Sequence, residues 1–442
     1  MFRKTIDKLI ITTIVLGIPL YQKFPIFDVP NSFVKIRLED FLMFFVFCYC
    51  LYLYRTKLPS TLLNSLERSI VIFITVGAVS LLSAFFVSKS IDLKLGILHW
   101  ARRIEYFLPL FFVLGLSGKH KKEYLEYVYK LLLIVILLVF AYGFGQKFFH
   151  WPVIVTQNEE VSKGIAQSYV PGSHLVSTFA GHYDLAAFLV FLLPLVAVGA
   201  YTSKDKFWKI ISLCAFILGL WVLSNTLSRI SVLSYFLAIS ICFILLGRIK
   251  VLIAVLVVSL AVFSLSSNLI GRYVNILVVI NDRISTLNII DVAYASGDKY
   301  NPGKVLAVIE DRSTSIRFNI EWPRALRAFS KNPLLGTGYS SITLATDNDY
   351  LRLLGEVGIL GFLSFLLVVF NIIIKSLTLW IKKGFTKDME SIFLVGILGG
   401  IAGTLVNAIF IDVFEASKFA IIFWFITGFV VYIVRSYKHE TS

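Results

Sequence analysis

The residues best suited to chemistry lie in one polar stretch, Arg317 to Gly361, that runs directly into an apolar segment. It reads Arg317-Phe-Asn-Ile-Glu-Trp322, then Asn332-Pro-Leu-Leu-Gly-Thr-Gly338, then Asp347-Asn348-Asp349-Tyr350-Leu351, then Gly355-Glu-Val-Gly358-Ile-Leu-Gly361. Guanidinium groups, carboxylates and glycines packed against hydrocarbon suit a charged lipid headgroup, and a reaction on it. Arg317 opens a run with helical spacing through Trp322, Ala325 and Leu326, and Arg324 and Arg327 follow. One reading is a solvated helix face on which Glu321 pairs with Arg317 or Arg324. The other is an anion-binding face.

Asp347-Asn348-Asp349 admits three readings. An Asp-x-Asp pair looks like the metal motif of nucleotide-sugar enzymes. Asp or Asn at a helix start caps exposed amides, and Asp complements the dipole. A carboxylate there is also placed to take the proton of an acceptor hydroxyl. Gly336-Thr-Gly338 after Asn332-Pro333 marks a turn. It lacks the context of a phosphate-binding loop, so its expected job is to bend the backbone.

Further candidates lie outside that stretch. Arg229, in Thr226-Leu-Ser228-Arg229-Ile-Ser231, opens an apolar run. It reads either as an interfacial anchor or as a diphosphate ligand, its planar fork giving bidentate hydrogen bonds and the serines adding donors. His182 and Asp184 open another apolar run, with His174 just upstream. Arg102-Arg103-Ile-Glu105-Tyr106 opens a third; the close Arg/Glu spacing suggests ion pairing inside a bundle or a further phosphate contact. The six histidines show no zinc spacing.

These groups need a scaffold, and the composition names its class. Of 442 residues 57% are hydrophobic and only 16% charged, against roughly 25% charged in soluble domains. Mean hydropathy is +0.82. The fold class expected is an all-α polytopic membrane protein. Twelve spans are expected, near 9–25, 39–54, 69–88, 102–117, 127–149, 183–201, 207–224, 229–247, 250–269, 351–375, 390–410 and 417–435. Arg3-Lys4 before an apolar run resembles a signal peptide; lacking a small-residue cleavage site, it reads as a retained first span. Cys48, Cys50, Cys214 and Cys242 all lie in apolar runs, as free thiols would.

The net charge of +15 does not indicate nucleic acid, because no basic face alternates with aromatics. The cations fall in short loops instead: Arg55/Lys57, Lys119/Lys121/Lys122, Lys204/Lys206, Arg248/Lys250 and Lys382/Lys383/Lys387. The positive-inside rule makes those loops, and both termini, cytoplasmic. Two long segments, 150–182 and 270–350, then fall on the outer side. The whole chain, 1–442, is expected to form one integral membrane domain, with part of the site carried by the 270–350 loop. A transporter would also suit many spans, but should show repeated halves and charge near the bilayer midplane.

Taken in order, the pieces resemble a known family. Phe179-Ala-Gly-His-Tyr-Asp184, Leu227-Ser-Arg229, Arg317 to Trp322, Asn332 to Gly338, and Asp347-Asn348-x-Tyr-Leu351 with Gly358-Ile-Leu-Gly361 look like elements of the O-antigen ligase and O-antigen polymerase superfamily of bacterial envelope glycosyltransferases. The resemblance implies a C-type membrane glycosyltransferase architecture with one large extracytoplasmic loop. It also implies a multi-pass protein of the plasma (inner) membrane working on the outer face. Its substrate would be an undecaprenyl-diphosphate-linked oligosaccharide, its acceptor a glycan or lipid. No metal and no cofactor are expected; membrane lipids, and a chain-length regulator or flippase, are the expected company. Carried over by position, Arg229 and Arg317 hold the diphosphate. Asn348, His182, Arg102 and Arg103, each at the start of an apolar run, are read from their own positions as further candidate substrate contacts. The His-Asn pair that usually precedes the tenth span is Asp347-Asn348 here. An ionised aspartate accepts a proton but donates none, which tilts the expectation from ligase towards polymerase, with Asp347 as catalytic base.

Overall fold

A computed structural model describes residues 2–28, 35–55, 64–154, 166–266, 269–271, 273, 315–342 and 345–441. Its helices are α1 (Phe2–Thr12, continued by Thr13–Gly17 and Ile18–Leu20), α2 (Leu38–Tyr54), α3 (Ser65–Ser83, continued by Ala84–Ser88), α4 (Leu93–Leu114) and α5 (Lys121–Phe149). There follow α6 (His182–Thr202), α7 (Lys206–Asn225), α8 (Arg229–Leu245), α9 (Ile249–Ser264), α10 (Trp322–Lys331), α11 (Asp349–Lys383), α12 (Met389–Asn407) and α13 (Ser417–Thr441). Two short antiparallel hairpins, Pro25–Asp28 with Lys35–Arg37 and Val153–Ile154 with Ala166–Gln167, decorate the loops.

Each span expected from hydropathy coincides with a helix, but length and apolarity separate them. Among the described residues seven helices are long and apolar enough to cross a membrane: Ser65–Ser88, Gly118–Phe149, His182–Thr202, Lys206–Asn225, Asp349–Lys383, Met389–Asn407 and Ser417–Tyr437. Arg229–Leu245 and Ile249–Ser264 are shorter apolar helices. The protein is therefore an all-α, multi-pass membrane protein by these seven. Of the expected outer loop 270–350, the stretch 274–314 lies outside the described residues.

The core runs along α6 and α13. The apolar window of α13 is 100% buried and that of α6 94%, so both are shielded from lipid by the others. α6 packs on α12, α7 and α8, and α13 on α4. Small residues let these helices approach closely: Gly400 lies against the Phe191 backbone and Gly396 against Leu195, as expected where packing, not hydrophobicity, must hold helices together.

Helix α11 is broken on purpose by its sequence. Gly358 has φ +71° inside the helix, a conformation open to glycine and costly to other residues. The amides of Ile359 and Leu360 then bond to Pro333 O (2.9 Å) and Leu334 O (3.3 Å), not to the turn above. In return Thr337 N and Gly338 N donate to Gly355 O (2.9 Å) and Glu356 O (2.8 Å). The Asn332–Gly338 turn is thus built into the helix break. A Cβ at Gly336 would collide with the backbone of Glu356, and one at Gly358 with that of Leu334. The turn expected from Asn-Pro and Gly-x-Gly is present, and its partner is α11.

Candidate active site

The segment from 315 to 331 sets Arg317. Residues Arg317–Glu321 form a π turn, closed by the Trp322 amide on Arg317 O. Pro323 at the start of α10 has no amide to donate, which releases the preceding turn from regular α pairing. The turn carries Arg317 inward to 8% exposure. There Nε and Nη2 both donate to Oδ2 of Asp347, at 3.0 and 2.7 Å. Nη2 also donates to the Tyr183 hydroxyl at 3.1 Å. The reading in which Glu321 pairs with Arg317 is thus replaced by a pair with Asp347, and Arg324 Nη2 goes to the Ala345 carbonyl at 2.7 Å.

Asp347 is held from below. Its φ is +48°, in the left-handed region that Asp tolerates better than most residues. Asp412, from the loop between α12 and α13, braces it: its two oxygens accept the amides of Thr346 (2.8 Å) and Asn348 (3.0 Å). Asp412 Oδ2 also accepts from Arg352 Nη1 at 3.2 Å. Asn348 is the N-cap of α11, its Oδ1 accepting the Leu351 amide at 2.9 Å. Asp349 turns away to the same loop, taking the Phe414 amide at 3.2 Å and giving its own to Ala408 O at 2.9 Å. The triplet thus divides: Asp347 meets Arg317, Asn348 caps, and Asp349 ties down the next loop.

A ring stack joins this centre to the turn that bears Arg229. Tyr183 and His182 have ring centroids 4.0 Å apart, and His182 stacks on His174 at 3.9 Å and 19°. His174 Nδ1 lies 3.1 Å from the Thr226 carbonyl. Leu227 takes φ +56° to turn α7 into α8, which puts half-buried Arg229 at the first position of α8. Ser228 and Ser231 share a hydrogen bond of 2.7 Å, and Ser231 donates to Asn407 Oδ1 at 3.0 Å. Asn407 precedes Ala408, the acceptor for Asp349. Two routes therefore tie the Ser-Arg turn to the Asp347 loop.

Arg102 and Arg103 stand elsewhere. Arg102 donates to Lys35 O at 3.3 Å and lies 3.6 Å from Asp40, not in a pair with Glu105. Arg103 donates to Phe414 O at 3.0 Å and pairs with Glu415. With Asp349, Arg352 and Glu356 it lines a small, partly open cleft beside the Asp412 loop. The contact it does make is to the Asp412 loop, so it supports the site's floor.

Burial governs the electrostatics. It pushes the Asp347 carboxyl above its ordinary range, with Arg317 opposing and Asp412 adding to the rise. Arg317 resists the same burial because Tyr183 and Asp347 favour its charged form. Glu321 is pushed up to about 7, first by burial and then by Asp347. Its Oε2 is buried without a hydrogen-bond partner.

The sequence reading missed Tyr183 and Asp412 as site residues, and gave Glu321 only an ion-pairing role. Tyr183 lies between two singled-out residues, and Asp412 interrupts an apolar stretch, which was the available signal. Lys418 was missed too. It is 1% exposed and donates to Thr178 O at 2.8 Å and to Tyr21 O, fixing the loop that leads to His182.

The geometry now has a family context. Residues 214–366 match the family model described as O-Antigen ligase. That match supports the O-antigen ligase superfamily. It spans the α7–α8 turn, the long segment and the first half of α11, so Arg229, Arg317, Asp347 and Asn348 all fall inside it. It supports an enzyme of glycan transfer in polysaccharide or O-antigen assembly, with a lipid-linked oligosaccharide substrate and an acceptor. Comparison with curated proteins gave no match.

Proposed function

We propose that the protein transfers a glycan from an undecaprenyl-diphosphate carrier to an acceptor sugar on the outer face of the plasma membrane, extending surface polysaccharide by repeat units. The observation that carries this reading is the buried Arg317 guanidinium, fixed by Asp347 and Tyr183 at the loop end of α6 and α11. A desolvated, pre-oriented guanidinium is what a departing diphosphate needs, because fixed positive charge in a low-dielectric site stabilises developing negative charge without reorganisation. Arg229, at the start of α8, supplies the second cation. The hydroxyl proton passes to a carboxylate of the same site; Asp347 is the candidate read from the sequence.

Metal is not needed in this scheme, since the arginines carry the countercharge. The basic pairs Lys204/Lys206 after α6 and Lys382/Lys383 at the end of α11 sit at the opposite ends of those helices from Arg317. By the positive-inside rule this supports an outer-face position for Arg317.

A ligase that passes the glycan to a lipid core is the second reading, favoured by the family match over 214–366. Purified protein in nanodiscs, given only undecaprenyl-diphosphate-linked repeat units, separates the two. A ladder of longer lipid-linked glycans is the expected product. Unchanged substrate, followed by transfer once a lipid core is supplied, would establish the ligase.

A further inference from the structure

Glu321 closes the π turn that Arg317 opens. Residues four apart share a face of a helical turn, so the two side chains leave the segment on the same side. π turns recur at functional sites because the extra residue re-aims side chains. The charged groups that face Glu321 are Arg317 and Arg324 from its own segment, Asp347 from the loop before α11, and Asp412 from the loop after α12. Its Oε2 is buried and accepts no hydrogen bond. Such an atom calls for an explanation, and a reacting hydroxyl group is one.

Asp347 is differently engaged. Its Oδ2 takes both nitrogens of Arg317, which commits it as a counter-ion. Two carboxylates in one site commonly divide the acid–base and electrostatic roles. Glu321 has a buried oxygen that accepts no hydrogen bond; Asp347 has the guanidinium.

We propose that Glu321 is the general base of the transfer reaction, while Asp347 keeps Arg317 aimed at the leaving group. This rests on the glycan-transfer reading. The acceptor oxygen bonds to the anomeric carbon of the donor sugar. The bond from that carbon to the diphosphate oxygen breaks, and its electron pair leaves on the diphosphate, beside Arg317. The hydroxyl proton goes to Oε2 of Glu321 and from there to solvent. The rise of the Glu321 carboxyl to about 7 matches a base that works near neutral pH.

The test uses full-length protein in nanodiscs with lipid-linked repeat units, comparing wild type, E321Q, E321D and D347N over pH 5.5 to 8.5, a range chosen to bracket the usual reach of a near-neutral base. E321Q should lower kcat by about 100- to 10,000-fold, with donor KM and binding of undecaprenyl diphosphate little changed. The wild-type rate should climb through about pH 7, and that limb should vanish in E321Q. E321D should recover part of the rate, and D347N should raise donor KM while keeping the limb. An E321Q rate within about threefold of wild type, or a lost rate with the limb unmoved, overturns the assignment. If wild type itself extends no glycan with any acceptor, the transfer reading falls first and the base assignment falls with it.

Discussion

Arg317 and Asp347 are thirty residues apart and meet through two nitrogens on one oxygen, at 3.0 and 2.7 Å. Neither holds the other alone. Tyr183 accepts a second hydrogen bond from the same Nη2, and Asp412 braces the backbone on either side of Asp347. The arrangement positions one cation at the loop end of the bundle, and each contact has a consequence that can be measured.

Removing the cation should remove the reaction. Arg317→Ala is expected to cut transfer by at least about 100-fold while the protein remains in the membrane. Arg317→Lys should recover little, since an ammonium cannot present two parallel donors to a carboxylate or a diphosphate. Transfer rates in nanodiscs alongside membrane abundance check both. Full activity in Arg317→Ala would take this residue out of the mechanism.

Tyr183 supplies one hydrogen bond and one link of a ring stack. Tyr183→Phe keeps the stack and loses the hydroxyl, so transfer should fall by about 2- to 15-fold, the equivalent of a single modest hydrogen bond. Tyr183→Ala also opens the stack between His182 and Arg317 and should fall further. Equal losses in the two variants would assign the whole effect to the hydroxyl.

Asp412 satisfies two loop amides and one guanidinium at once. Asp412→Ala leaves Arg352 short of a partner and two amides unbonded. The expected loss of stability is about 2–4 kcal/mol, seen as a lower unfolding temperature in detergent together with loss of transfer. Asp412→Asn keeps one of the two acceptor oxygens and should lie between wild type and Ala.

The break in α11 depends on Gly358. Gly358→Ala must hold φ +71° with ψ −172°, a region essentially restricted to glycine and costing about 1–3 kcal/mol, and its Cβ meets the Leu334 backbone as well. Backbone cannot swing aside as a side chain would. Folded yield should drop sharply. A variant that folds and melts like wild type would show that the Asn332–Gly338 turn is free to move off the helix.

Glu321 also predicts how stability follows pH. Its proton affinity is raised in the folded protein, to about 7 from an ordinary 4.5. Folding therefore favours the protonated form. That contribution is complete below about pH 4.5 and is lost as pH rises through about 7. Wild type should lose thermal stability relative to Glu321→Gln across that window, and unfolding temperatures of the two proteins at matched pH values test it. A constant difference would mean that Glu321 does not titrate on folding.

Much of this was written in composition and order. The apolar runs located the helices, because a long continuous apolar run satisfies its own backbone in lipid as a helix. Arg229, Arg317 and Asp347 stood out because charge beside hydrocarbon is costly without a purpose. Turn residues at 332–338 announced a bend. Helix count was less legible, since five of the expected spans are short or charged and hydropathy alone does not separate a membrane crossing from a buried helix.

What the sequence left open was partnership. Glu321 is four residues from Arg317 and was the natural local partner, yet the fold brings Asp347 to that guanidinium instead. Asp412 reaches the site from a loop 64 residues beyond Asn348, and Tyr183 reaches it from 134 residues before Arg317. Local periodicity carries information only along a helix, whereas ion pairs are chosen by which helix ends pack side by side. The residues able to do chemistry could be read from the chain; which of them face one another was decided by the packing of α6, α11 and the α12–α13 loop.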